Sequence, residues 1–237
     1  MQENIHAMGR TEKEIISRQQ EEIRSLQKKI STQETEIENL KNELAHDPLT
    51  GLKLAKNFEQ KCLDRMAFVE RKREESQRSL PEEHTPHRVG RTHSIAFVDM
   101  DGLKWTNDHP DFGYSVGDNV LIALADILDR WKRRQEDLVV RRTKGGDEFL
   151  VLFPGSDEIE TRRILLLNRT RFENVISRDF PGLSGKVSFS FGVREVKPCQ
   201  SIEEIALAFD EASKDMHSWK DRRKMGRDVS CLPGEKF

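Results

Sequence analysis

The stretch Asp137-Leu138-Val139-Val140-Arg141-Arg142-Thr143-Lys144-Gly145-Gly146-Asp147-Glu148-Phe149-Leu150-Val151-Leu152-Phe153 decides the fold. Asp137–Val140 begins a short apolar, β-prone run, and Glu148–Phe153 forms another. The glycine pair Gly145-Gly146 between them predicts a hairpin. Further out, Ser94–Asp99 reads as a buried strand, because it is short, apolar and β-branched. Lys186–Val193 alternates, with Val187, Phe189 and Phe191 on one face. Helical spacing marks Ala55–Glu75 (with Phe58, Cys62, Met66 and Val69 in line), Val120–Trp131, Ile159–Val175 and Ser201–Lys224. Strands and helices interleave, which predicts a mixed domain around one sheet.

Acidic residues stand at two of these strand ends. Asp99-Met100-Asp101 closes the first apolar strand, and Asp147-Glu148 follows the glycine pair. Carboxylates next to a core are costly unless paired or bound to a cation. The glycines also let the backbone approach a bulky ligand closely. If the two strands are neighbours, Asp99, Asp101, Asp147 and Glu148 converge. Such hard oxygen ligands suit Mg²⁺, which commonly bridges to substrate phosphates, and a pair of ions can clamp an in-line displacement at phosphorus. Taken singly, each acidic pair also reads as a solvated turn.

The N-terminal residues follow a different rule. Residues 1–46 hold no proline and one glycine, Gly9. A heptad pattern places Ile16, Ile23, Ile30, Ile37 and Leu44 at position a, and Gln19, Leu26, Gln33 and Leu40 at position d. Ile at a with Leu at d favours a parallel two-stranded coiled coil, and the glutamines at d weaken the seam or set its register. A single solvated helix is the plainer alternative. His46-Asp47-Pro48-Leu49-Thr50-Gly51-Leu52 breaks the heptads with a turn.

Composition narrows the function. Charged residues make up 35% of the 237-residue chain, yet the net charge is only -2, which gives no support for a broad nucleic-acid-binding surface. Cys62, Cys199 and Cys231 lie far apart without CxxC spacing and read as reduced thiols. No run approaches the roughly 18 apolar residues needed to span a bilayer, and a cytoplasmic protein without membrane contact is expected. His84, His87 and His93 fall in a polar stretch read as a loop over 76–93. They could bind a metal, but no matching carboxylate or thiol pattern accompanies them.

Several motifs together resemble the GGDEF domains of diguanylate cyclases. Gly145-Gly146-Asp147-Glu148-Phe149 is that family's signature pentapeptide unchanged. His46–Leu52 resembles its opening motif, and Asp99-Met100-Asp101-Gly102-Leu103-Lys104 with Asn107-Asp108 its metal and guanine segment. Gly117-Asp118 and Ser188-Phe189-Ser190-Phe191-Gly192-Val193 resemble later elements, in the family's order. The resemblance implies an α+β, palm-like domain related to nucleotide cyclases and polymerases, with a central mixed sheet flanked by helices. It would span 47–228, between a coiled-coil dimerisation helix over 1–46 and a tail over 229–237. It also implies condensation of two GTP into cyclic di-GMP with release of pyrophosphate, by a homodimer, with Mg²⁺ or Mn²⁺.

Carried over by position, Asp99, Asp147 and the Met100 carbonyl would ligate metal. Glu148 would hold metal or assist deprotonation. Asn107 and Asp118 would read guanine, Lys104 and Lys220 would contact phosphate, and Gly145 and Gly146 would lie against the nucleotide. Arg134 and Asp137 fit the family's RxxD product-inhibition pattern. The chain departs from the family at Leu54-Ala55-Lys56, where Asn-Arg-Arg is usual. It departs also at Tyr114, His217 and the lengthened approach Arg142-Thr143-Lys144. A nucleotide-binding signalling module that works through the coiled coil without appreciable turnover is the alternative function, and a cyclase that also accepts ATP is a narrower one.

Overall fold

The computed structural model describes residues 2–78, 92–132, 135–198 and 201–224, with side chains described for 17–37, 45–76, 92–132, 135–198 and 201–221. The chain divides into two units, Met1–His46 and Asp47–Phe237.

The first unit is one helix, α1 (Gln2–Ala45), about 66 Å long at 1.5 Å per residue. Ile23, Leu26, Ile30 and Ile37 are each at least half exposed along it, and Gln19 and Gln33 are exposed as well. The side chains of Ile16, Leu40 and Leu44 lie outside the described set.

The second unit opens with a turn. Asp47 N–H donates to the Leu52 carbonyl and Gly51 N–H to the Asp47 carbonyl, both at 2.8 Å. There follow β1 (Lys53–Leu54), α2 (Phe58–Arg78), β2 (His93–Asp101), α3 (Leu103–Asp108), α4 (Gly113–Arg130), β3 (Leu138–Arg141), β4 (Glu148–Phe153), α5 (Glu158–Asp179), β5 (Ser188–Val196) and α6 (Ile202–Lys224). The sheet order is β1-β3-β4-β2-β5. Only β1 and β3 are parallel, so the sheet is mixed, as expected.

Strand alternation sends side chains to two cores, because successive residues point to opposite faces. Ala96, Val98 and Met100 of β2 join Phe149, Val151 and Phe153 of β4 and Phe189, Phe191 and Val193 of β5 against Leu124 of α4 and Phe172 of α5. Ile95 and Phe97 join Leu150 and Leu152 against Phe58, Cys62 and Met66 of α2 and Phe209, Ala212 and Met216 of α6. Helices thus cover both faces of the sheet. Burial pushes the Cys62 thiol well above its ordinary range, so it stays an inert apolar filler.

Several elements differ from the sequence expectation. β1 and α3 were not foreseen, because two and six residues are too short to display a period. α4 begins at Gly113 rather than near Val120, since its first turn is polar. Of the expected loop over 76–93, residues 76–78 finish α2 and His93 opens β2. His84 and His87 lie outside the described residues. His93 is fully buried, and its Nδ1 accepts from Gly155 N–H at 3.0 Å.

Candidate nucleotide site

The acidic ends meet because β2 and β4 are antiparallel neighbours in a fixed register. Asp99 lies directly opposite Glu148 on β4 and Ser190 on β5. Directly opposed residues project from the same face, so Asp99 and Glu148 share the face covered by α2 and α6. Met100 N–H donates to the Asp147 carbonyl at 3.2 Å, which fixes the end of the hairpin against the end of β2. The Met100 side chain points the other way, into the core.

α6 reaches this corner through Gly192 of β5. A Cβ there would run into the Ala212 carbonyl and the Met216 amide of α6, so only glycine permits this approach. Lys220, about one turn beyond Met216 on α6, extends over the strand ends. Its Nζ donates to Asp99 Oδ1 and lies 3.3 Å from Asp101 Oδ1. Ser190 Oγ donates to Asp101 Oδ2 at 2.7 Å. Burial pushes the Asp99 carboxyl above its ordinary range, with Lys220 opposing and the charges of Asp147 and Asp101 adding to the rise. Burial also opposes the charged form of Lys220, but Asp99 and Asp101 outweigh it and hold the ammonium above its ordinary value. Glu148 is held at 2.8 Å by Arg142, whose guanidinium lies over the Phe97 ring.

The turn itself uses both glycines. Gly145 has φ +82, a conformation that side chains rarely adopt. At Gly146 a Cβ would press on Thr143 Oγ1 at 2.5 Å. Arg141, buried at the end of β3, donates from Nε (2.8 Å) and Nη2 (2.5 Å) to the Gly146 carbonyl and from Nη1 to Asp47 Oδ1 at 2.5 Å. Neither Asp47 nor Arg141 was singled out from sequence for a part in the site. An arginine ending an otherwise apolar strand was the available signal.

The α3–α4 corner lies just beyond β2. Asn107 Oδ1 abuts the Cα of Gly117, where any Cβ would collide with it. That oxygen is buried and has no hydrogen-bond partner. Asp118, the next residue on α4, is exposed, as are Lys104 and Tyr114. The structure therefore brings Asn107 beside the Gly117-Asp118 pair, and it places Lys220 on the carboxylates. Asp137 is buried just ahead of β3, while Arg134 lies outside the described residues. Among the described residues, no set of three or more His, Cys, Asp or Glu side chains stands within mutual reach of one metal ion. None of the described helices is long and apolar enough to cross a membrane.

The donor chemistry at the strand ends nonetheless fits a hard divalent cation. Asp99 is destabilised as a carboxylate by burial and by two like charges, a set that a cation relieves.

A mixed sheet sandwiched by helices, with acidic strand ends beside a polar helical corner, defines the class. The sequence profile of the family "Diguanylate cyclase, GGDEF domain" matches residues 44–225, and the chain belongs to that family. Among solved structures it is similar to the coiled coil and GGDEF domain of DgcB from Caulobacter crescentus in complex with c-di-GMP. That match has 20% identity and TM-score 0.57, over 84% of this chain and 91% of that one. It is also similar to the diguanylate cyclase SiaD in complex with its activator SiaC from Pseudomonas aeruginosa, at 26% identity and TM-score 0.51, over 92% of this chain and 78% of that one. The active GGEEF domain of a diguanylate cyclase from Vibrio cholerae matches at 18% identity and TM-score 0.51, over 70% and 90%. No curated protein matches the chain.

Proposed function

We propose that this protein is a diguanylate cyclase that condenses two GTP into cyclic di-GMP and two pyrophosphate, as a homodimer joined through a parallel α1 coiled coil. The observation that carries this reading is the Asp99–Glu148 register across β2 and β4, with Asp147 at the intervening hairpin end. In each half-reaction the 3′-hydroxyl oxygen of one GTP bonds to the α-phosphorus of the other. The bond from that phosphorus to the bridging oxygen breaks, pyrophosphate leaves with the electron pair, and the hydroxyl proton is lost. Glu148 would take that proton, directly or through water.

Asp99, Asp147 and the Met100 carbonyl would hold Mg²⁺ (or Mn²⁺), with Glu148 contributing. The cation supplies charge neutralisation at the phosphates during displacement. The orphaned Asn107 Oδ1 accepts from the guanine N2 amino group, and the exposed Asp118 carboxylate accepts from N1–H and N2–H. Adenine does not present that donor pair. Lys220 transfers its contact from Asp99 and Asp101 to phosphate when nucleotide enters, and Lys104 adds a second point charge. Product binding at Arg134 and Asp137 would feed back on turnover, and a cytoplasmic location fits these substrates.

One observation favours a second reading, a nucleotide-binding module with little turnover. Leu54 belongs to β1 and Ala55 N–H is tied to the Arg141 carbonyl, so no cationic side chain stands at either position. A single assay separates the two. Purified protein with GTP and Mg²⁺ releases pyrophosphate steadily and forms cyclic di-GMP if it is the cyclase; GTP binding without release establishes the module.

A further inference from the structure

The least expected polar contact in the second unit is the Asp47–Arg141 pair. Both residues are 1% exposed, and they lie 94 residues apart in sequence. A buried ion pair is on average a poor stabiliser, because desolvation offsets the attraction. The details here point to another use. Asp47 Oδ1 accepts from Thr50 N–H, from Thr50 Oγ–H and from Arg141, so its position is set by the turn that opens the unit. The rest of the Arg141 fork is spent on one acceptor, the Gly146 carbonyl. That carbonyl belongs to the peptide bond leading into Asp147.

The turn needs such a tether. Six residues, Arg142–Asp147, separate β3 from β4, and Gly145 leaves the backbone free to swing. The backbone bonds of the turn are Arg142 N–H to the Glu148 carbonyl, Gly146 N–H to the Thr143 carbonyl and, from β2, Met100 N–H to the Asp147 carbonyl. None of them fixes the Gly146 carbonyl.

We propose that Arg141 is a positioning residue for the nucleotide site: it carries the location of Asp47, the first residue of the unit, to the Gly146–Asp147 peptide. This rests on the cyclase reading for its effect on turnover, but not for its effect on the hairpin. A shift of Asp47 moves the guanidinium, and the guanidinium moves the backbone that bears Asp147. Displacements near 1 Å at a reacting centre cost on the order of 100-fold in rate.

Arg141→Lys isolates the proposal. A lysine ammonium satisfies Asp47 as a point charge but cannot also grip the Gly146 carbonyl as a fork. Two readouts are taken on the full-length variant. Amide hydrogen exchange at Gly146 and Asp147, which needs no turnover, accelerates; kcat falls about 10- to 100-fold while KM for GTP changes by less than about threefold. If Arg141→Lys does not fold, Asp47→Asn is read by the same two criteria, since it keeps the Thr50 contacts and removes the charge. A folded variant with unchanged exchange at Gly146 and Asp147 overturns the proposal. A parent protein that releases no pyrophosphate overturns the cyclase reading alone, and the exchange measurement still judges Arg141.

Discussion

The two units of this chain solve the problem of apolar surface in opposite ways. In the second unit the sheet turns Phe189, Phe191 and Val193 to one helical layer and Ile95 and Phe97 to another, and all of them are buried. In the first, Ile23, Leu26, Ile30 and Ile37 follow a coiled-coil period along a single helix and remain half exposed. A sheet can be covered by helices of its own chain, whereas a stripe this narrow is buried only by another helix. On the proposed function the two units have different tasks: one would hold the chemistry, and the other would bring two copies together.

The contrast can be broken in measurable ways. The largest effect belongs to the strand ends. Asp147→Ala should abolish turnover, a loss of more than about 1,000-fold, while sedimentation still reports the parent's mass and the melting curve is retained. Turnover in this variant would detach the chemistry from the β2–β4 corner.

Core truncation comes next. Phe172→Ala, which empties a fully buried site against Phe189, should cost about 3–5 kcal/mol in urea unfolding of the second unit. Ile30→Ala should leave that transition in place and weaken only the proposed pairing of α1.

A third measurement uses pH. Burial, with the Arg73 cation adding, pushes the His93 imidazole from 6.5 down to about 4, and Glu70 faces its other nitrogen at 3.8 Å. Between those values the unfolded chain binds a proton that the folded chain does not. Stability therefore rises with pH across that window and is lost as pH falls from about 6.5 to about 4, by roughly 3 kcal/mol at most. His93→Asn should flatten this dependence in thermal melts between pH 4 and 6.5. The same slope in the variant would assign it to other groups.

The smallest effect tests the division of labour directly. Removing residues 1–44 should lower specific activity about 10- to 100-fold at low protein concentration, with recovery as concentration rises, because the coiled coil acts through effective concentration. Equal activity in the truncated form when dilute would end the argument for α1 as the dimerising element.

Much of this was legible in order along the chain. Alternation at Val187, Phe189 and Phe191, the glycine pair between two apolar runs, and the line Phe58, Cys62, Met66 and Val69 each marked an element that formed as expected, because local period reports which face is buried. The motifs also placed Asp99, Asp147 and Glu148 together, since the β2–β4 register follows from burying both strands on two faces. Short elements such as β1 and α3 carried no period to read.

What sequence determined by itself was the type of each long element, the residues bearing charge at their ends, and the family. What only the tertiary structure decided was which groups face one another: Lys220 on Asp99 and Asp101, Asn107 against Gly117, and Arg141 between Asp47 and Gly146. Period and propensity act over a few neighbouring residues. Lys220 with Asp99 and Arg141 with Asp47 join groups 121 and 94 residues apart, so those contacts exist only once strand order and the close approach of α6 at Gly192 are set.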